Sequence, residues 1–164
     1  MIFKFKKHNA DFYSTLLKLS RNLYFYENIS LKDTFETRIY LIFFHFSIIL
    51  IIYKIKKVNF PQVEYDNLFF NIENNLRELG FGDVSVNKKM KDMNKILYDI
   101  LLKVNSSNEN IQINKNLVLK YFPDFKDKNI DKYNYFEQYL INFYNFCFDK
   151  DLENMLKETL KFKN

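Results

Sequence analysis

Apolar residues recur at intervals of three and four along most of this chain, which is the spacing of an amphipathic α-helix. Polar stretches separate these segments, and Asn59, Pro61 and Pro123 within them favour helix ends and turns. The pattern predicts helices over residues 11–24, 33–57, 61–79, 85–103, 111–122, 131–148 and 151–162. Two glycines and two prolines leave little turn chemistry for a many-stranded sheet, so we predict an all-α fold with six or seven helices.

The length and composition are those of a single compact domain. The chain has 164 residues, 48% of them hydrophobic, which is enough to bury a sizeable core. We expect residues 1–10 to form a basic, aromatic tail, residues 11–104 a helical core, and residues 105–164 further helices packed on that core. The tail lacks an apolar run and a cleavage site, so we do not expect a secretory signal.

The most apolar stretch, Ile39 through Tyr53, raises the question of a membrane span. About 15 residues at ~1.5 Å each cover ~22 Å, which is short of the ~30 Å hydrocarbon thickness. His45 and Ser47 also lie in its middle. We therefore predict a helix buried inside a bundle, with reversible membrane docking as the alternative.

Both glycines fall in one short stretch, Leu79-Gly80-Phe81-Gly82-Asp83, between two helical patterns. Gly80 suits the left-handed residue that ends a helix, and Asp83 suits the N-cap of the next. A phosphate-binding loop would need a third glycine and a preceding strand. We therefore predict a helix–helix corner at Leu79–Asp83. Asp33 is likewise expected to cap a helix, with Glu36 reaching back to it.

Candidate catalytic and metal-binding groups are few. His8 and His45 are the two histidines, and Cys147 stands alone among aromatic residues. They do not assemble a catalytic triad or a zinc site, so we expect no enzyme activity, metal or cofactor. His45 is expected to be a core histidine with one hydrogen-bond partner, and Arg38 to anchor a carboxylate or backbone carbonyls.

Two outward patches flank the corner and are candidates for partner binding. Phe70 projects away from the apolar stripe of its helix, beside Glu73 and Arg77. An exposed aromatic ring next to an arginine can anchor a partner. On the following helix an outward arc carries three lysines, Lys88, Lys91 and Lys95. The alternative is that these charges merely form a solvated face.

The net charge of +5 favours encounters with anionic surfaces without naming one. Nucleic acid, anionic lipid and an acidic protein all stay open at this level.

The corner and several upstream residues resemble one protein family. The stretch Leu76 through Met90, with Arg77, Gly80, Gly82 and Asp83, is similar to the signature of the ubiquinol-cytochrome c chaperone family. Upstream residues match the family in the same order: Arg21, Phe25, Tyr26, Asp33, Thr34, Arg38 and His45. The chain departs from the family at Lys32, Thr37 and Asn87, where members often carry Pro, Gly and Gly.

The resemblance implies an all-helical, non-enzymatic assembly factor that binds newly made cytochrome b during maturation of the ubiquinol-cytochrome c reductase. We expect such a protein at the cytoplasmic face of a bacterial inner membrane, with cytochrome b or another hydrophobic membrane protein as its client. A ribosome or an anionic membrane surface could be a further partner, and DNA is not expected. The alternatives are a basic helical module that binds RNA or the ribosome, and an enzyme whose pocket contains His45 and Arg38.

Overall fold

A computed structural model describes residues 9–107, 110–126 and 130–164. Residues 1–8 of the predicted tail, which include His8, lie outside the described part of the chain. In chain order the elements are helices α1 (Asn9–Ser20), α2 (Phe35–Ile55), α3 (Gln62–Glu78) and α4 (Asp83–Lys103), strands β1 (Asn105–Ser107) and β2 (Asn110–Gln112), and helices α5 (Lys115–Tyr121), α6 (Ile130–Phe148) and α7 (Leu152–Glu158). Short π- and 3₁₀-helical turns lie at Tyr24–Asn28, Pro123–Lys126 and Thr159–Lys161. The predicted all-α fold is confirmed.

Helix α2 is the centre of the molecule. It packs against α1, α4 and α6, and its buried side chains point in all directions around the axis. Its 21 residues span about 32 Å, which is longer than the ~22 Å of the apolar stretch Ile39–Tyr53 within it. By length and composition α2 could cross a membrane. However, 72% of its most apolar 18-residue window is buried by the rest of the chain. It is the interior helix of the bundle.

The start of α2 differs from the predicted capping box. The N-cap is Thr34, whose side-chain oxygen accepts a hydrogen bond from the amide of Thr37 at 3.1 Å. Asp33 instead accepts two hydrogen bonds from the Arg38 guanidinium, at 2.7 and 2.8 Å. The prediction that Asp33 is the cap was therefore wrong by one residue, because its carboxylate is engaged by Arg38.

The first helix is shorter than predicted. It ends at Ser20, and a separate π-helical turn follows at Tyr24–Asn28. The side chain of Asn22 accepts a hydrogen bond from the amide of Tyr24, which starts the new turn. The hydroxyl of Tyr26 donates to the carbonyl of Ser20 at 2.6 Å. This bond satisfies a backbone group that the end of α1 leaves unpaired.

The stretch after α4 contains a small hairpin where a polar linker was predicted. Strands β1 and β2 are antiparallel, with Ser106 opposite Ile111. The predicted helix over 111–122 begins only at Lys115, because Asn114 caps it by accepting from the amide of Leu117 at 3.2 Å. Ile111 is buried on β2 rather than on a helix.

The C-terminal helices complete the core. Helix α6 packs against α2, and α7 with the following 3₁₀ turn contacts α1. The Lys56 ammonium, just after α2, donates to the carbonyls of Phe148 and Lys150 at the end of α6. Residues beyond the hairpin therefore cover the apolar helix α2 on the side that α1 and α4 leave open.

Candidate functional site

The corner between α3 and α4 is closed by backbone hydrogen bonds. Gly80 has a φ of +94°, which a residue with a Cβ adopts at a cost. The amide of Gly80 donates to the carbonyl of Arg77 at 2.9 Å, and that of Phe81 donates to Leu76 at 3.2 Å. This pair of bonds is the Schellman motif, which satisfies the last carbonyls of a helix. The predicted role of Gly80 at the end of α3 is confirmed.

Asp83 does not cap α4 with its side chain, contrary to the prediction. Gly82 occupies the N-cap position in an extended conformation, and Asp83 is the first residue of the helix. The Asp83 carboxylate pairs with the Arg77 guanidinium, which also pairs with Glu73 at 2.9 Å. Arg77 therefore braces the corner between two carboxylates. The negative charge of Asp83 in the first turn of α4 also interacts favourably with the helix dipole and so stabilises the helix.

An open groove of about 390 Å³ lies beside this corner. We call it the corner groove. Its walls come from the start of α2, the end of α3, the corner itself and the middle of α4: Phe35, Glu36, Ile39, Tyr40, Leu76, Leu79, Phe81, Lys89, Asp92, Met93 and Ile96. Ile39, Leu76 and Met93 are buried in its floor, whereas Leu79 and Phe81 are 58% and 38% exposed. The Lys89 ammonium lies 4.6 Å from the centre of the Phe81 ring.

A second groove of about 260 Å³ shares Phe35, Ile39 and Leu79 with the corner groove. We call it the arginine groove because Arg21 and Arg38 line it. The Arg38 guanidinium holds the pKa of the Asp33 carboxyl below its usual value, chiefly by hydrogen bonding to it. Arg38 thus anchors a carboxylate of its own chain, as the sequence suggested.

The structure places the family-motif residues in four parts of the fold. Arg21 and Arg38 both line the arginine groove, and Asp33 is bound to Arg38. Thr34 caps α2, and Gly80, Gly82 and Asp83 build the corner. His45 lines neither groove.

His45 is a buried, neutral histidine with two partners, where one was predicted. Its Nδ1 lies 2.6 Å from the Leu41 carbonyl, which can only accept, so Nδ1 carries the proton. The Tyr139 hydroxyl then donates to Nε2, at 2.8 Å. Burial lowers the pKa of His45 to about 4. The side chain joins α2 to α6 and holds no free nitrogen for acid–base chemistry.

Cys147 is also buried, and burial raises the pKa of its thiol to about 12. The thiolate that nucleophilic chemistry requires is therefore disfavoured. Within residues 9–107, 110–126 and 130–164, no three His, Cys, Asp or Glu side chains are arranged to hold a metal ion.

The predicted partner-binding residues are exposed, and none of them lines either groove. Phe70 is exposed on the outer face of α3, and Lys88, Lys91 and Lys95 are exposed on α4. The sequence reasoning missed the groove residues. The predicted helix over 61–79 included Leu79, which instead follows the last residue of α3 and is exposed. Phe81, between two glycines, was the available signal, because an apolar residue at a corner has no helix face to join.

These observations describe an all-helical protein with an open, mostly apolar surface at one helix–helix corner. A family model described as ubiquinol-cytochrome C chaperone matches residues 27–110, and the chain belongs to that family. The matched residues include α2, α3, the corner and α4, but not the upstream residues Arg21, Phe25 and Tyr26. Family membership supports a chaperone role in the assembly of a complex and favours a non-enzymatic protein. No curated protein and no solved structure matches the chain significantly.

Proposed function

We propose that this protein is a non-enzymatic assembly chaperone that binds newly made cytochrome b and promotes assembly of the ubiquinol-cytochrome c reductase. It works at the cytoplasmic face of a bacterial inner membrane, where such a client is inserted. The observation that carries the proposal is the corner groove, an open apolar surface within the region that the family model matches.

The chemistry of the corner groove suits an apolar segment of a client. Its floor is formed by buried aliphatic side chains, and Leu79 and Phe81 stand exposed at its mouth. Glu36, Lys89 and Asp92 supply a charged rim. An apolar centre within a polar rim is the usual anatomy of a protein-binding surface. A helix that will later lie in a membrane offers the apolar side chains that fill such a groove.

Phe70 provides a second anchor on the outer face of α3. Its ring is exposed and lies one turn from Glu73, whose carboxylate fixes Arg77. Aromatic residues at binding surfaces often contribute more than other contacts, because they exclude much water and lose little side-chain entropy. Arg77 acts through the corner geometry that it braces, whereas Phe70 acts by direct contact.

The test compares a corner variant with a matched surface variant. Leu79→Ser with Phe81→Ser removes the exposed apolar side chains of the corner groove. Val63→Ser with Leu160→Ser removes exposed apolar side chains elsewhere. Cells carrying each variant are assayed for cytochrome b that co-purifies with the chaperone and for assembled reductase. We expect the corner variant to lose at least about tenfold in captured client, as truncation of interface anchors does.

The Val63 and Leu160 variant should capture the client as the wild type does. Both proteins should keep the wild-type melting temperature within a few degrees, since exposed positions change stability little. Wild-type capture by the corner variant would show that the client binds elsewhere. Phe70→Ala, measured in parallel, reports whether the outer face of α3 contributes.

A further inference from the structure

The outer face of α4 carries a straight row of exposed side chains at heptad spacing. The positions are separated by four, three, four, three and four residues: Val84, Lys88, Lys91, Lys95, Tyr98 and Leu102. All six are exposed. At about 1.5 Å per residue the row is about 27 Å long. We call it the α4 row.

Apolar side chains stand at both ends of the α4 row. Val84 is 85% exposed and Leu102 is 75% exposed, and Tyr98 lies next to Leu102 along the row. The opposite face of the helix holds the buried residues Val86, Met93, Leu97 and Ile100. Helix α4 is therefore apolar on its inner face and apolar again at both ends of its outer face.

The centre of the α4 row is positively charged and largely unneutralised. Among the described residues, Lys88 and Lys91 form no ion pair, and the Lys95 ammonium reaches Asp92 at 4.0 Å. The other acidic residues of α4 are engaged elsewhere, Asp83 by Arg77 and Asp99 by the pair Lys103 and Lys120. Three aligned lysines thus expose a positive charge on the outer face of α4.

We propose that the α4 row docks the protein on an anionic bilayer surface. A helix touches a plane along one row of side chains, which is the geometry observed here. Lysines in that row meet lipid phosphates, and the valine, tyrosine and leucine enter the headgroup region. A second copy of the chain fits poorly, because packing two such rows together would oppose lysine to lysine. The surface is distinct from the corner groove, so this docking requires no client.

The experiment measures co-sedimentation of the full-length protein with vesicles of phosphatidylcholine, with and without phosphatidylglycerol. We expect binding only when phosphatidylglycerol is present, and weaker binding as salt is raised. Lys88→Gln, Lys91→Gln and Lys95→Gln together should weaken it about a hundredfold, since each lysine near an anionic leaflet contributes about fivefold, or about 1 kcal/mol.

The matched control removes three exposed lysines from other elements: Lys18→Gln, Lys126→Gln and Lys163→Gln. It has the same net charge as the α4 variant and should bind vesicles within a few-fold of the wild type. Equal losses for the two triple variants would overturn the proposal, because net charge alone would then explain binding. So would tighter, lysine-dependent binding of single-stranded RNA than of vesicles.

A second measurement reports the orientation of the docked protein. Val84→Cys and Val63→Cys are each labelled with an environment-sensitive fluorophore, and the native Cys147 is too buried to react. Addition of phosphatidylglycerol vesicles should shift the emission of the label at position 84 to the blue and leave position 63 unchanged. No shift at position 84 would overturn the proposal. Client capture through the corner groove can fail or succeed independently of both measurements.

Discussion

The α2–α6 interface and the α3–α4 corner differ in the exposure of their apolar side chains. At the interface, Phe136 and Phe143 are fully buried, and Tyr139 gives its hydrogen bond to His45. At the corner, Leu79 and Phe81 stand exposed beside a groove. The backbone of the corner is nevertheless well satisfied by its Schellman bonds. The molecule thus leaves apolar side chains exposed beside a well hydrogen-bonded turn, and the region that stabilises the fold differs from the region proposed to bind the client.

The largest expected effect is on the free energy of unfolding, when a buried aromatic ring rather than an exposed one is removed. Phe136 packs against the rings of Phe25, Phe44, Phe122 and Phe125. Phe136→Ala should lower the free energy of unfolding by about 3–5 kcal/mol, through lost burial and a cavity. Urea unfolding followed by circular dichroism measures it.

The matched control is Phe70→Ala, the same chemical change at an exposed position. It should alter the free energy of unfolding by no more than about 0.5 kcal/mol. Similar values for the two variants would mean that the α2–α6 interface does not carry the stability of the fold.

A smaller effect on stability tests the left-handed backbone conformation of Gly80 at the corner. Gly80→Val forces a β-branched residue to a φ of +94° and should cost about 2 kcal/mol. An added Cβ meets nothing within 4 Å at either glycine, so crowding plays no part. Gly82→Ala, where φ is −75°, should therefore be close to neutral. Thermal unfolding of both variants measures the difference, and equal melting temperatures would exclude a special backbone at Gly80.

The smallest effect concerns His45 and pH. Its pKa is about 4 in the folded protein, compared with an ordinary 6.5. As the pH falls below 6.5 the unfolded chain binds a proton that the folded protein does not. The stability that depends on neutral His45 is therefore complete above pH 6.5 and is lost toward pH 4. Between about pH 7 and about pH 5.5 the loss should be about 1 kcal/mol.

The control for this pH dependence is His45→Gln, which keeps a polar side chain without an ionisable group. Its free energy of unfolding should be lower than that of the wild type at neutral pH, because the two buried hydrogen bonds are disturbed. Over the same pH interval, however, the free energy of unfolding of the variant should change less than that of the wild type. A wild-type pH dependence in the variant would assign the effect to other groups.

Much of the fold could be read from the sequence because apolar spacing reports which face of a helix is buried. The spacing located α3, α4 and α6 closely, and Gly80 marked the end of α3. The hairpin was missed because each of its strands has three residues, too few for alternation to appear. The π-turn was missed because it is defined by a backbone hydrogen bond from the amide of Ile29 to the carbonyl of Tyr24, which the spacing of apolar residues does not reveal.

The candidate site was harder to predict than the fold. The corner groove combines side chains of α2, α3 and α4 that are up to 61 positions apart, from Phe35 to Ile96. The periodicity along a single helix does not show which residues of different helices will lie side by side. The lysines of the α4 row were visible in the sequence, because one helix carries them. The exposure of Val84 and Leu102 at its ends depends on how α4 is seated in the bundle.

The 21-residue helix α2 also has a consequence for the synthesis of the chain. Ribosomes deliver α2 before α3, α4 and α6, the helices that later surround it. During that interval the whole of α2 is uncovered, and by length and composition it could cross a membrane. We expect folding of the later helices to compete with capture of this segment by the membrane-insertion machinery. During its own synthesis this protein therefore exposes an apolar segment of the kind that its proposed client also exposes.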